Sequence, residues 1–150
     1  MPTIESNSVV INRSIEEVFA FMTDIEKWSQ WASEVVEAKK TSEGPVGVGT
    51  TFSFLVQFLG RRMEGTNEVT DYAPNSKFAF KTTSGPVSAE DEITFESVTG
   101  GTKVTRVSRV ETGGFFKLAE PILTRTAQRQ FETNFANLKD LLEAQAQGSA

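Results

Sequence analysis

Residues 51–72 read TFSFLVQFLGRRMEGTNEVTDY, and their periodicity decides the fold. From Thr51 to Leu59, the residues Phe52, Phe54, Val56 and Phe58 alternate with Thr51, Ser53, Leu55 and Gln57. Successive side chains of a strand point to opposite faces, so this pattern predicts a strand with one aromatic, buried face. From Arg62 to Tyr72, a second strand sets Met63, Gly65, Asn67 and Val69 against Arg62, Glu64, Thr66, Glu68 and Thr70. The alternation continues downstream. After a turn at Ala73-Pro74-Asn75-Ser76, Phe78, Phe80 and Thr82 oppose Lys77, Ala79 and Lys81. Gly85-Pro86 breaks the chain; Val87, Ala89, Asp91, Ile93 and Phe95 then oppose Ser88, Glu90, Glu92, Thr94 and Glu96. Thr99-Gly100-Gly101-Thr102 predicts a hairpin. The strand beyond it sets Val104, Arg106, Ser108 and Val110 against Lys103, Thr105, Val107, Arg109 and Glu111, with Val107 out of pattern on the polar side.

Upstream of this series, Thr3 to Asn12 reads as a strand. Ser14-Ile15-Glu16-Glu17 predicts a capping box, with Glu17 reaching back to the Ser14 N–H, and opens a short helix carrying Ile15, Val18, Phe19 and Met22. Asp24 is expected to cap a second short helix, Ile25 to about Gln30, with Trp28 and Trp31 on one face. Val35-Val36 opens a further strand ending near Thr41, before a loop at Ser42-Glu43-Gly44-Pro45. Downstream, Gly113-Gly114 ends the sheet, and from about Phe116 the period changes to that of a helix. Ala119, Ile122, Leu123, Thr126, Ala127, Gln130, Phe131, Asn134, Phe135, Leu138, Leu141 and Leu142 form one stripe. Pro121 lies inside that pattern, so either the helix starts near it or a bend separates a first turn from the main rod. Gln145 to Ala150 reads as a frayed tail. One long helix is then available to cover the buried faces of all the strands. An α+β fold over residues 1–150 as a single domain follows, a curved antiparallel sheet wrapped around that helix with a gap between them.

The bulk numbers exclude several functions. The 150 residues carry a formal net charge of −5, with Lys and Arg scattered, which argues against nucleic acid or an anionic membrane as partner. The chain has no Cys and no His. That removes thiolate nucleophiles, the Ser-His-Asp triad and the common zinc sites; no metal and no cofactor are expected. No apolar run approaches membrane-spanning length and no basic-then-apolar leader opens the chain, so a cytoplasmic protein without stable membrane insertion is expected.

What stands out is a set of polar residues assigned to the inner faces. Asn67 lies between Gly65 and Val69, and Asp91 between Ala89 and Ile93. Arg106 and Ser108 lie on the next strand, and Thr126, Gln130 and Asn134 on the helix stripe. A buried polar group is costly unless paired, so these groups pair with one another, with water or with a ligand. The hairpin sets Asp91 opposite Ser108 with Arg106 on the diagonal, close enough for an ion pair. The alternatives are that Asp91 ends its strand in water, that Arg106 extends its head to solvent, and that Gln130 and Asn134 flank the stripe. Trp28 and Trp31 read as anchors at one end of the curl, with Trp31 closing a cavity mouth as the alternative.

Three stretches carry a resemblance. Val10-Ile11-Asn12-Arg13-Ser14-Ile15-Glu16-Glu17-Val18-Phe19 with Asp24-Ile25-Glu26-Lys27-Trp28-Ser29-Gln30-Trp31 and Val35-Val36 is the first. Glu68-Val69-Thr70-Asp71-Tyr72-Ala73-Pro74-Asn75 is the second. The third joins Gly101-Thr102-Lys103-Val104-Thr105 to Gly114-Phe115-Phe116-Lys117-Leu118-Ala119-Glu120-Pro121-Ile122-Leu123. Together they resemble the START-like (SRPBCC) superfamily, and within it the polyketide cyclase/dehydrase and lipid-transport-like group. The resemblance implies a helix-grip fold, in which about seven antiparallel strands grip a long C-terminal helix and two short helices follow the first strand. It also implies an internal cavity for sterols, lipids, plant hormones, flavonoids or polyketides. Cyclases of this kind often draw on His, Tyr, Arg or acidic groups. This chain has no His, and Tyr72 is expected at a strand end on the outward pleat.

The expected function is therefore binding of a hydrophobic small molecule. Phe54, Phe80, Ile93, Phe131 and Phe135 would supply contact area, and Asn67, Asp91, Arg106, Gln130 and Asn134 would orient the polar end. One alternative is a polyketide cyclase- or dehydratase-like enzyme with Asp91 as general base and Arg106 as enolate stabiliser. The other is a protein-interaction module without a small ligand.

Overall fold

The computed structural model describes residues 3–58, 60–85, 88–111 and 120–148. Seven strands form one antiparallel sheet: β1 (Thr3–Ile11), β2 (Val35–Lys40), β3 (Thr51–Phe58), β4 (Arg61–Ala73), β5 (Lys77–Ser84), β6 (Ser88–Val98) and β7 (Gly101–Glu111). Their order is β1-β7-β6-β5-β4-β3-β2, so β2 to β7 run as a meander and β1 returns beside β7. Helix α1 (Ile15–Met22) and a 3-10 helix (Ile25–Gln30) fill the crossover from β1 to β2, and helix α2 (Glu120–Gly148) follows the sheet. This is the α+β helix-grip arrangement expected from the sequence. Leu59, Val87 and the Gly113-Gly114 corner lie outside the described residues.

Local chemistry accounts for the boundaries. The β6–β7 hairpin closes with Val98 opposite Gly101, and Gly101 has φ +134°. A Cβ there would lie 2.0 Å from the Ile11 carbonyl oxygen, so only glycine lets β1 come this close to β7. At α1, the Ser14 hydroxyl accepts from Glu17 N at 3.3 Å and donates to Glu17 Oε1 at 2.8 Å. Glu17 thus closes on the hydroxyl instead of the expected backbone N–H, and its other oxygen pairs with Arg13. Asp24 makes no cap hydrogen bond, contrary to expectation; its carboxylate faces Lys27 at 3.5 Å, ahead of a six-residue 3-10 turn. Helix α2 is described from Glu120, with Pro121 next to it; the residues before Glu120, on which the choice between a start and a bend near Pro121 turns, lie outside the described residues. The helix continues to Gly148, past the point where fraying was expected.

The core is aromatic and lies at one end of the curl. Trp28 stands edge-on to Phe52 with centroids 5.1 Å apart and packs on Phe80 at 5.2 Å, while its Nε1 donates to the Met22 carbonyl at 2.8 Å. Phe19 from α1 meets Tyr72 at 5.4 Å and Phe95 at 5.0 Å. Tyr72 therefore faces inward, which corrects the outward assignment. Strand β4 pairs Val69 with Phe80 but Asp71 with Ala79, so an irregularity lies between them. One extra residue in a strand inverts the pleat beyond it, and Asn67, Val69 and Tyr72 come to share a face.

Candidate functional site

Beside Phe52 and Phe80 of that core, the inner face of the sheet turns polar. The register sets Val69, Phe80, Asp91 and Ser108 side by side across β4 to β7. The next row sets Phe52, Asn67 and Thr82 side by side across β3 to β5. Beyond Asn67 comes Gly65, opposite Phe54. A Cβ on Gly65 would lie 2.6 Å from Phe54 Cζ and 2.5 Å from the Ser84 carbonyl oxygen, so the bare backbone is what makes room for the ring.

Asn67 is 7% exposed and its Oδ1 has no hydrogen-bond partner. Asp91 and Arg106 form a buried ion pair: Arg106 Nε and Nη2 donate to Asp91 Oδ1 at 3.0 and 2.8 Å. Their side chains are 6% and 15% exposed, respectively. Both contacts use Oδ1, so Oδ2 stands outside the pair. The Arg106 guanidinium also lies over the Phe131 ring of α2, 4.0 Å from its centroid, a cation–π contact that ties helix to sheet. Ile93 lies opposite both Phe78 and Arg106, in the core behind the pair.

The helix stripe divides in two. Phe131, Phe135, Leu138 and Leu142 are buried as expected. Asn134 is fully buried, but its amide is already occupied. Its Nδ2 donates to both Glu34 carboxylate oxygens at 2.8 and 3.0 Å, and its Oδ1 accepts from Ser33 N at 3.0 Å. Gln130 donates to the same Oδ1 at 3.2 Å and to the Ser33 hydroxyl. These two residues clamp α2 to the segment after the 3-10 helix. A second clamp lies further along, where Lys139 Nζ donates to the Val10 carbonyl and to Glu143, and Glu143 accepts from Asn12 N. The Lys139 hydrogen bond and the Asn12 N–H hold the Glu143 carboxyl below the usual carboxylate range.

Trp31 carries a second unmet polar group. It is 3% exposed and its Nε1 has no partner. An indole N–H is a donor that burial should force into a bond, but only the tertiary placement shows that this one is unmet.

The outer face of the sheet carries a groove of about 400 Å³, lined among others by Lys81, Glu90, Glu92, Val107 and Arg109. Val107, out of pattern in the sequence, is one of its walls. Nearby, Lys77 sits 3.1 Å from Asp71 and 3.7 Å from Glu92; the Asp71 hydrogen bond and the Glu92 charge raise its pKa. Among the described residues no group of His, Cys, Asp and Glu could hold a metal ion, and no helix is long and apolar enough to cross a membrane.

Comparison with known proteins adds three findings. The sequence model of the family described as "Polyketide cyclase / dehydrase and lipid transport" matches residues 3–143. An uncharacterized protein of Mycobacterium tuberculosis is 26% identical over 156 aligned positions, covering 99% of this chain and 91% of that protein. Among solved structures, a START superfamily protein from Mycobacterium smegmatis superposes with a TM-score of 0.76 at 17% identity, covering 95% of this chain and 99% of the other. The ZhuI aromatase/cyclase from a Streptomyces species superposes with a TM-score of 0.77 at 13% identity, covering 97% and 95%. At such identities the two superpositions establish a shared fold.

Proposed function

Because this chain belongs to the polyketide cyclase / dehydrase and lipid transport family, we propose that it binds a hydrophobic small molecule between the sheet and α2. The observation that carries this reading is the Asn67 carbonyl, a deeply buried acceptor left without a partner. Buried acceptors are satisfied in the great majority of cases, by protein, water or ligand. Phe54, Phe80 and Phe131 supply apolar surface around it, with Ile93 and Phe135 behind. Asn67, Asp91 and Arg106 meet the polar end. Gln130 and Asn134 hold the helix in place and do not orient the ligand. The chain acts as one domain, in the cytoplasm.

Native mass spectrometry of freshly purified protein tests the reading by looking for a co-purified small molecule. Thermal scans against sterols, fatty alcohols, flavonoids and aromatic polyketides test it independently. A ligand at a hundred times its Kd raises stability by about 2.7 kcal/mol. An empty interior in the spectrum together with no shift for any compound counts against it.

A second reading rests on Asp91 Oδ2, which stands outside the ion pair and is able to accept a proton. As a general base beside the Arg106 cation, Asp91 would enolise a polyketide-like carbonyl compound. ZhuI, an aromatase/cyclase, shares the fold. Asp91→Asn then abolishes turnover and retains binding; equal turnover in variant and parent removes this reading.

A further inference from the structure

We infer that the bound molecule is electrically neutral at its polar end and carries hydroxyl or keto oxygen, not a carboxylate or phosphate. The inference rests on the interior-binding reading and narrows it. It starts from a comparison of what the interior has already satisfied with what it has left open. Asp91 is the ionisable side chain that the described residues bury. Its charge is matched by Arg106, and two of the guanidinium nitrogens are committed to one carboxylate oxygen. One face of that guanidinium is covered by Phe131. The interior cation is thus already neutralised, bonded and stacked.

An anionic head group entering this space would have to share the single Arg106 cation with Asp91, leaving one of the two carboxylate charges uncompensated. An uncompensated buried charge is strongly unfavourable. A neutral oxygen meets the opposite situation. Among the described residues, the two buried side-chain atoms without partners are a neutral donor, Trp31 Nε1, and a neutral acceptor, Asn67 Oδ1. Trp31 is 3% exposed and Asn67 7% exposed, so bulk water does not serve them. A hydroxyl donates to Asn67 Oδ1, and a hydroxyl or keto oxygen accepts from Trp31 Nε1. Each bond satisfies an atom that burial has cut off from water, without disturbing the ion pair.

Matched probes test this at neutral pH: naphthol against naphthoate, and decanol against decanoate, by isothermal titration with the full chain. The neutral member of at least one pair is expected to bind at least about tenfold more tightly than its carboxylate, as the cost of an unpaired buried charge dictates. On adding that neutral probe, the Trp31 indole N–H resonance shifts downfield; it is identified by its loss in Trp31→Phe. In Asp91→Asn, where Arg106 no longer has a buried counter-charge, the preference narrows or reverses in favour of the carboxylate. A carboxylate that binds the parent as tightly as its neutral partner overturns the inference and leaves the binding reading standing. An unmoved indole resonance with a tightly bound neutral probe does the same. If no member of either pair binds, the inference falls together with the interior-binding reading. Should Asp91→Asn fail to fold, the parent titrations and the indole resonance decide the matter alone.

Discussion

Substituting Arg106 with Met removes the cation and leaves most of the side-chain length. Two unit charges 2.8 Å apart attract by about 6 kcal/mol at an effective dielectric constant near 20. Part of that attraction offsets the cost of bringing both ions out of water, so the net loss is smaller. What decides the magnitude is the group left behind: Asp91, 6% exposed, loses its counter-charge where water barely reaches it. Breaking a buried pair in this way costs about 3–5 kcal/mol, and the lost stacking on Phe131 adds about 0.5–1 kcal/mol. The converse change, Asp91→Asn, should be milder, at about 1–2 kcal/mol, because the amide oxygen still accepts one bond and Arg106 reaches water more easily. The double variant should then be more stable than Arg106→Met alone, since it removes the stranded carboxylate. Urea unfolding of the four proteins, with a common m-value, measures all three differences. A loss below about 1 kcal/mol for Arg106→Met, or a double variant less stable than that single one, would refute the claim that the pair is desolvated.

Three further outcomes are expected. Asn134→Ala should lower stability by about 2–3 kcal/mol in a denaturant titration, because it strips bonds from the Glu34 carboxylate and the Ser33 N–H at a buried position; a change under about 0.5 kcal/mol would dissolve the clamp. Gly65→Ala should cost about 1–3 kcal/mol through overlap with the Ser84 carbonyl and Phe54, read as a fall in melting temperature, while an unchanged melting temperature would mean that both neighbours move aside freely. Because the Glu143 carboxyl is depressed in the folded protein, its contribution is present above the ordinary carboxylate range and is lost as the pH falls from there through the depressed value. Glu143→Gln should therefore flatten the acid limb of the stability profile, and a limb identical to the parent's would exclude that role.

The architecture was legible because periodicity reports directly on which face is buried. The alternation at Phe52, Phe78, Asp91, Ile93 and Ser108 survives into the structure residue by residue, as does the Asp91–Arg106 diagonal, since a two-residue hairpin leaves the register little freedom. The pattern failed at Tyr72, where an irregularity inside β4 inverted the parity, and nothing in Val69-Thr70-Asp71 announces it. The inward polar residues were legible as a group, but not their separate duties. Asn67 and Asn134 look alike in sequence, as amides on apolar faces. One is left with an unmet carbonyl and the other is saturated, because Ser33 and Glu34 lie some hundred positions away from Asn134 and meet it only on folding. Trp31 reads as an anchor in the sequence; that its N–H is unmet depends on distant packing.

The Asn134 amide has a mechanical consequence. A rod of 29 residues resting on a curved apolar wall can in principle settle at several azimuths, since hydrophobic contact has little angular preference. Stepping the rod round by a single position turns it by about 100° and carries that amide away from both Ser33 and Glu34. It works as an indexing pin: the contact area holds the rod against the wall, and the carboxamide, together with the Lys139–Glu143 clamp, sets its angle, and with it the direction in which Phe131 faces.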